Sequence, residues 1–225
     1  MKIVAFSDTH SKHKNITIPE CDVAICAGDI SSIGQKHEIA SFLGWFSKQN
    51  CKHKVFIAGN HDRCFDPNFQ KPLEADKWLS EMLDFYKVNH EGSNITYLED
   101  SSVVIDGIKI WGSPITPWFH GDRWAFNKHR GPEIAEVWEN IPLDADIVVT
   151  HGPVAYKLDY TQIDKVYVGC EDLRKRLEIV KPKFHICGHI HEGYGVEEGI
   201  NTTFVNASTC NLHYSPTNPL FLFTI

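Results

Sequence analysis

Two histidines one residue apart, His189 and His191, follow an apolar run, residues 184–187, and a glycine, Gly188. The run reads as a buried strand. A break at Gly188, where backbone freedom is greatest, aims both imidazoles at one point. Two histidines do not fill a metal site, and four upstream segments offer the missing ligands. Each is an apolar run that ends in Asp, Asn or His. Residues 3–6 lead to Asp8 and His10, and residues 23–27 to Asp29. Residues 55–58 lead to Asn60, His61 and Asp62, and residues 147–150 to His151. In open α/β sheets, ligands bind outside the carboxyl ends of strands, which is where all five segments put these residues. The residue types fit a pair of cations. One carboxylate bridges them through its two oxygens, while imidazoles and neutral oxygens complete each shell. Two such cations about 3.5–4 Å apart clamp the attacking and leaving oxygens of a phosphoryl displacement.

The surrounding periodicities say what holds these segments. Strands are expected at residues 2–7, 22–27, 54–58, 146–150 and 184–187. Helices are expected at 35–50, with Ile39, Phe42, Leu43 and Phe46 inward, and near 132–140 and 170–180. Another is expected near 71–87, with Pro72 in its first turn and Leu73, Trp78, Leu79, Met82 and Phe85 as its buried stripe. Asp106-Gly107 between two β-rich runs marks a hairpin. Short runs at 194–196, 202–205 and 220–225 read as antiparallel-type strands. The sum is an α/β chain: two packed, mainly mixed β-sheets flanked by helices. No linker or repeat divides it, so residues 1–225 are expected to form a single domain.

Composition narrows the function. The chain has 225 residues, 42 % of them apolar, enough for a large core. A net charge of −7 argues against non-specific duplex binding, which needs dense Lys and Arg contacts to phosphates. Seven cysteines without a CxxC pair read as reduced thiols in a cytoplasm. The first strand begins too early for a signal peptide, and no apolar run reaches membrane-spanning length. Sequons such as Asn206-Ala-Ser208 are therefore expected to carry no glycan.

In this order, Asp8-Thr-His10, Gly28-Asp29, Gly59-Asn60-His61-Asp62, His151 and Gly188-His189-Ile-His191 resemble the pattern of the calcineurin-like metallophosphoesterases. Segments such as Thr116-Pro-Trp-Phe119, Thr150-His-Gly-Pro153 and Asn206-Ala-Ser-Thr-Cys210 resemble more closely a branch with vertebrate members, the metallophosphoesterase-domain-containing phosphodiesterases. Some members of that branch have glycine where this chain has His189. The resemblance implies a first metal on Asp8, His10, Asp29 and His191. It implies a second on Asp29, Asn60, His151 and His189, with Asp29 bridging, and His61 on the substrate phosphate as the catalytic side chain. Asn60 and His61 would both border the substrate. Mixed Asp, Asn and His shells suit Mn²⁺, Fe or Zn²⁺ better than Mg²⁺.

The activity so implied is a phosphodiesterase on small nucleotides, cyclic ones included, using a water activated by the dinuclear site. Three alternatives stand beside it: a nucleotide- or protein-binding module with weak catalysis, a protein phosphatase, and a nuclease. Asp62 either orients a neighbour or starts a helix. The aromatic stretch Trp118, Phe119, Trp124 and Phe126 either stacks a base or forms a small satellite core. Arg123 reads as solvated, as does the Lys52-His-Lys54 strand entrance. His13, His37, His53, His90, His120, His129, His185 and His213 match no ligand pattern and read as structural or exposed.

Overall fold

The computed structural model describes residues 1–68, 75–121 and 123–225. Its first strands are β1 (Lys2–Phe6), β2 (Cys21–Ala27), β3 (Cys51–Ile57), β4 (Ile95–Tyr97), β5 (Ser101–Ile105) and β6 (Ile108–Ser113). Two short strands, β7 (Thr116–Pro117) and β8 (Asn127–Lys128), precede β9 (Ile147–Thr150). Two more, β10 (Tyr160–Thr161) and β11 (Val166–Tyr167), precede β12 (Phe184–Cys187). The last are β13 (Gly195–Glu198), β14 (Thr203–Asn206) and β15 (Phe221–Thr224). The helices are α1 (Lys36–Phe46), α2 (Ala75–Phe85), α3 (Pro132–Glu139) and α4 (Glu171–Val180).

One sheet has the order β15-β1-β2-β3-β4 and the other β13-β14-β12-β9-β6-β5. Neighbours β1 to β4 run parallel, with β15 antiparallel on the edge. Neighbours β14, β12, β9 and β6 also run parallel, between antiparallel β13 and β5. The last third is therefore not simply antiparallel, as its short runs suggested. α4 supplies the crossover that lets β12 return parallel to β9.

Alternation along each strand divides the core. Ile3, Ala5, Val23, Ile25, Val55, Ile57, Ile147, Val149 and Ile186 pack between the sheets. Val4, Phe6, Ala24, Phe56 and Val148 face the helical layers, where Ile39, Phe42, Phe46, Trp138 and Leu173 cover them. Strands buried on both faces read as unbroken apolar runs, which is why β1, β2, β3 and β9 were legible.

Asp106 and Gly107 join β5 to β6 with φ of 48° and 82°, the left-handed pair that a two-residue hairpin needs. Helix α2 buries Leu79 and half-buries Trp78 and Met82. Phe85, expected in the same stripe, is 76 % exposed in its last turn. Pro72 and Leu73 lie outside the described residues. Lys54 is not solvated. Its side chain is buried, and Nζ donates to the Cys51 carbonyl at 3.0 Å. All seven cysteines are free and buried. Asn206 is buried too, so its sequon is closed to a glycosyltransferase in the folded chain. No helix among the described residues is long and apolar enough to cross a membrane.

Two buried histidines away from the strand ends set an acid limit on stability. His13 packs against Phe42 and Trp45, and burial beside Lys14 lowers its pKa from 6.5 to about 4. Burial lowers that of His185 from 6.5 to about 3. His185 Nε2 donates to Thr150 Oγ1 at 2.8 Å, while that hydroxyl donates to Gly152 O. Below pH 6.5 the unfolded chain binds protons that the folded chain refuses. Stability therefore rises with pH across this window and falls on acidification through it. Each group contributes a slope of up to about 1.4 kcal/mol per pH unit. In urea unfolding between about pH 6.5 and 4, His185→Gln keeps a donor for Thr150 and should flatten the slope by one group's share. An unchanged slope would show that His185 does not titrate this way.

Candidate metal centre

Five parallel strands end on one side of the molecule and release their polar residues there. β1 leads to Asp8 and His10, β2 to Asp29, β3 to Asn60 and His61, β9 to His151, and β12 to His189 and His191. The backbone turns abruptly at these ends: φ is 52° at Asp8, 40° at His10, 49° at Asp29 and 67° at His189. Non-glycine residues seldom occupy this region, and such outliers cluster at functional sites. At the last turn the left-handed residue is His189, not Gly188, so the glycine does not serve there by backbone freedom. It serves by size: a Cβ at Gly188 would lie 2.1 Å from Asp8 Oδ2.

Three groups of side chains could each hold a cation: Asp8, His10 and His191; Asp29, His151 and His189; and His10, Asp29 and His61. His10 Nε2 lies 3.2 Å from His191 Nε2 and 3.8 Å from both Asp8 Oδ1 and Asp29 Oδ2. His151 Nε2 lies 3.3 Å from Asp29 Oδ2 and 2.9 Å from Asn60 Oδ1. Asp29 Oδ1 accepts the His61 N–H at 2.9 Å. Its Oδ2 faces both His10 and His151.

The imidazoles are oriented from behind. Nδ1–H of His61 donates to Ser32 O at 2.6 Å, that of His151 to Ala27 O at 2.9 Å, and that of His191 to Asn211 O at 3.0 Å. A carbonyl only accepts, so in each neutral ring the Nε2 lone pair points into the cluster, as metal-ligating histidines require. Asp8 accepts the His189 N–H at 3.0 and 3.1 Å and the Ser208 hydroxyl at 3.0 Å.

Charge follows from this crowding. Burial raises the Asp29 carboxyl, but His151 and His61 overcome it and hold it well below the carboxylate range. Burial and His191 act on Asp8 in the same opposed way, and it too ends low. Burial lowers His10 to about 4 and His189 to about 3, leaving both neutral. Against burial, Asp29 lifts His151 to about 9, and Asp8 raises His191. Two buried carboxylates thus draw protons onto two imidazoles, His151 and His191. A divalent cation held there would neutralise the same carboxylates and take the place of those protons. The donor set fits cations of the Mn²⁺, Fe and Zn²⁺ type.

Asp62 orients its neighbours. Buried, it accepts from the N–H groups of Gly59, Ile30 and Ser31 and from the Ser31 hydroxyl, at 2.6–3.1 Å. That ties the β3 turn to the β2 turn, while burial and Asp29 push its carboxyl up to about 7. The aromatic stretch divides. Trp124 packs on the His61 ring at 4.3 Å, and Phe119 sits 4.9 Å from His189. Trp118 stacks on His129, and Phe126 is buried in the core. Arg123 is exposed. Sequence reasoning assigned no role to Ser208, Asn206 or Tyr214. Asn206 Nδ2 donates to Ile190 O at 2.8 Å and its Oδ1 accepts from Ser208, fixing the turn that carries both histidines. Ser208 and Asn206 stand just past an apolar run, the signal by which the other residues were found.

The sequence model of the calcineurin-like phosphoesterases matches residues 1–193. The chain belongs to this family. Human metallophosphoesterase domain-containing protein 1 is 40 % identical over 226 residues, spanning 97 % of this chain and 69 % of that protein. A UPF0046 protein of Caenorhabditis elegans is 38 % identical, over 94 % of this chain and 70 % of its own. Among solved structures, a phosphopantetheinyl hydrolase from Mycobacterium tuberculosis superposes with a TM-score of 0.65. It is 14 % identical and covers 99 % of this chain and 95 % of its own, so that likeness concerns the fold. A calcineurin-like phosphoesterase is a metal-dependent phosphoester hydrolase, and the centre described above has the groups that such chemistry needs.

Proposed function

We propose that this chain is a dinuclear phosphodiesterase acting on small nucleotide phosphodiesters, cyclic ones included. The observation that carries the reading is the convergence of the His10, His61 and His151 Nε2 atoms around Asp29 Oδ2, the last two rings pinned through Nδ1–H and His151 also meeting Asn60 Oδ1. Asp8, His10, Asp29 and His191 would hold one divalent ion, and Asp29, Asn60, His151 and His189 the other. Bound there, the ions would supply Lewis acidity toward phosphoryl oxygens and lower the pKa of a water.

The chain's own residues do the rest. Asn60 and His61 border the substrate. His61, its Nδ1–H held by Ser32 O, presents Nε2 4.0 Å from Asp29 Oδ2. When protonated, it donates from Nε2 to the departing ester oxygen. Ser208 and the His189 N–H hold Asp8 in place. Phe119 and Trp124 wall the side nearest His189 and His61, where a flat base would stack. The whole of residues 1–225 forms one calcineurin-like domain in this reading, because β13, β14 and β15 complete both sheets and Ser208 reaches Asp8. A reducing cytoplasm suits its free, buried thiols.

The test is kcat/KM on metal-stripped protein reloaded with single metals. The panel is a bis-aryl phosphate, a mono-aryl phosphate and cyclic nucleotides. Diesters should exceed the monoester, with Mn²⁺ or a similar ion restoring activity. A monoester preference throughout would move the assignment to a phosphatase.

A further inference from the structure

We propose that Tyr214 is a specificity-determining residue whose ring contacts the organic group of the bound ester and favours flat aromatic groups over aliphatic ones. The proposal rests on the reading that His61 borders the phosphate. Tyr214 stands on a tight turn far along the chain from every ligand motif. Its φ is +56°, a region that a bulky side chain enters only when its surroundings impose it. Here the turn imposes it. Tyr214 N–H donates to Asn211 O at 2.8 Å, and Asn211 N–H donates to Ser215 O at 2.9 Å. Asn211 Oδ1 accepts from the N–H groups of His213 and Ser215 at 2.9 and 3.1 Å. The same Asn211 carbonyl receives His191 Nδ1–H. One turn thus orients a candidate ligand and delivers an aromatic ring beside it.

The ring lies 4.7 Å from His10, 5.1 Å from His191 and 6.3 Å from His61, centroid to centroid. The residue nonetheless remains 43 % exposed. Part of the residue is therefore open to a ligand, while its ring stays beside the histidines. Lys12 Nζ lies 5.7 Å above it, a cation close to where a phosphate would enter. Trp124 covers His61 at 4.3 Å. His61 therefore has two aromatic neighbours, Trp124 and Tyr214. A phosphate that reaches it leaves its organic substituent among these rings. Rings stack on any π face, whereas an alkyl group offers only area.

Two measurements separate this proposal from the activity on which it rests. Binding is read by calorimetry with phenylphosphonate and ethylphosphonate on the metal-reloaded chain. Turnover is read with phenyl and ethyl p-nitrophenyl phosphate, which share a leaving group. Wild type should favour the phenyl member of each pair. Tyr214→Ala should weaken phenylphosphonate binding and raise KM for the phenyl diester by about 10-fold, within the range for loss of one stacking partner. It should leave kcat and the ethyl members nearly unchanged. Tyr214→Phe should behave as wild type, because the ring and not the hydroxyl does the work. Metal content and circular dichroism report whether each variant is intact. Equal losses on phenyl and ethyl ligands, or a Tyr214→Phe loss matching that of alanine, would overturn the proposal. So would a wild type with no preference or no binding. Selective binding without turnover of either diester would instead overturn the hydrolase reading and leave the aromatic contact standing.

Discussion

Asp29→Ala is expected to empty both metal positions and to lower kcat/KM on the order of 10³-fold or more, since lost Lewis-acid stabilisation amounts to several kcal/mol. The reason is the placement of one oxygen. Asp29 Oδ2 faces His10 at 3.8 Å and His151 at 3.3 Å, while Oδ1 is taken by the His61 N–H. No other carboxylate oxygen among the described residues faces both groups. Its loss also leaves His151, which this carboxylate holds protonated, without its counter-charge. His189→Gly, by contrast, should weaken only the position on Asn60 and His151. Elemental analysis of the two purified variants decides. Full two-metal occupancy in Asp29→Ala would remove Asp29 from the bridging role.

His61→Ala separates proton transfer from metal assembly. His61 follows Asn60 in a turn, and the two side chains diverge. Asn60 Oδ1 points to His151, whereas His61 packs on Trp124 at 4.3 Å, 6.3 Å from Tyr214, with Nδ1–H on Ser32 O. The variant should keep both metals and lose kcat by about 10²–10⁴-fold on an ester with a nucleoside alkoxide as leaving group, the usual worth of general acid help. The loss should shrink for nitrophenolate, which departs without a proton. Equal losses on both would assign His61 to positioning or charge stabilisation. His61 also stands within ligand distance of His10 and Asp29. Loss of metal in the variant would make it part of the metal site.

The contrast between Asn60 and His61 shows where local pattern stops being informative. Although the two are neighbours in sequence, their side chains diverge because Asn60 Oδ1 meets His151 while Ser32, from another turn, holds the His61 ring. Phe85 fits the apolar spacing of α2, yet it lies in the last turn, past the surface that the helix packs on. Lys54 reads as solvated by type, yet it is buried because its strand is central and its ammonium can reach a carbonyl.

The sequence by itself determined five buried strands and the polar residues at their ends. A strand covered on both faces is an unbroken apolar run, and a catalytic strand end is the polar residue that stops it. Both signals are local. The tertiary structure alone decided which atoms meet. Ser32, Ala27 and Asn211 set the ring orientations through carbonyls that carry no sequence signature. The single oxygen shared by both groups follows from one backbone N–H at His61. Tyr214 and Ser208 reach the site from the far end of the chain because β14 runs parallel to β12 and ends beside it. Such contacts arise between segments distant in sequence, and no spacing within either segment records them.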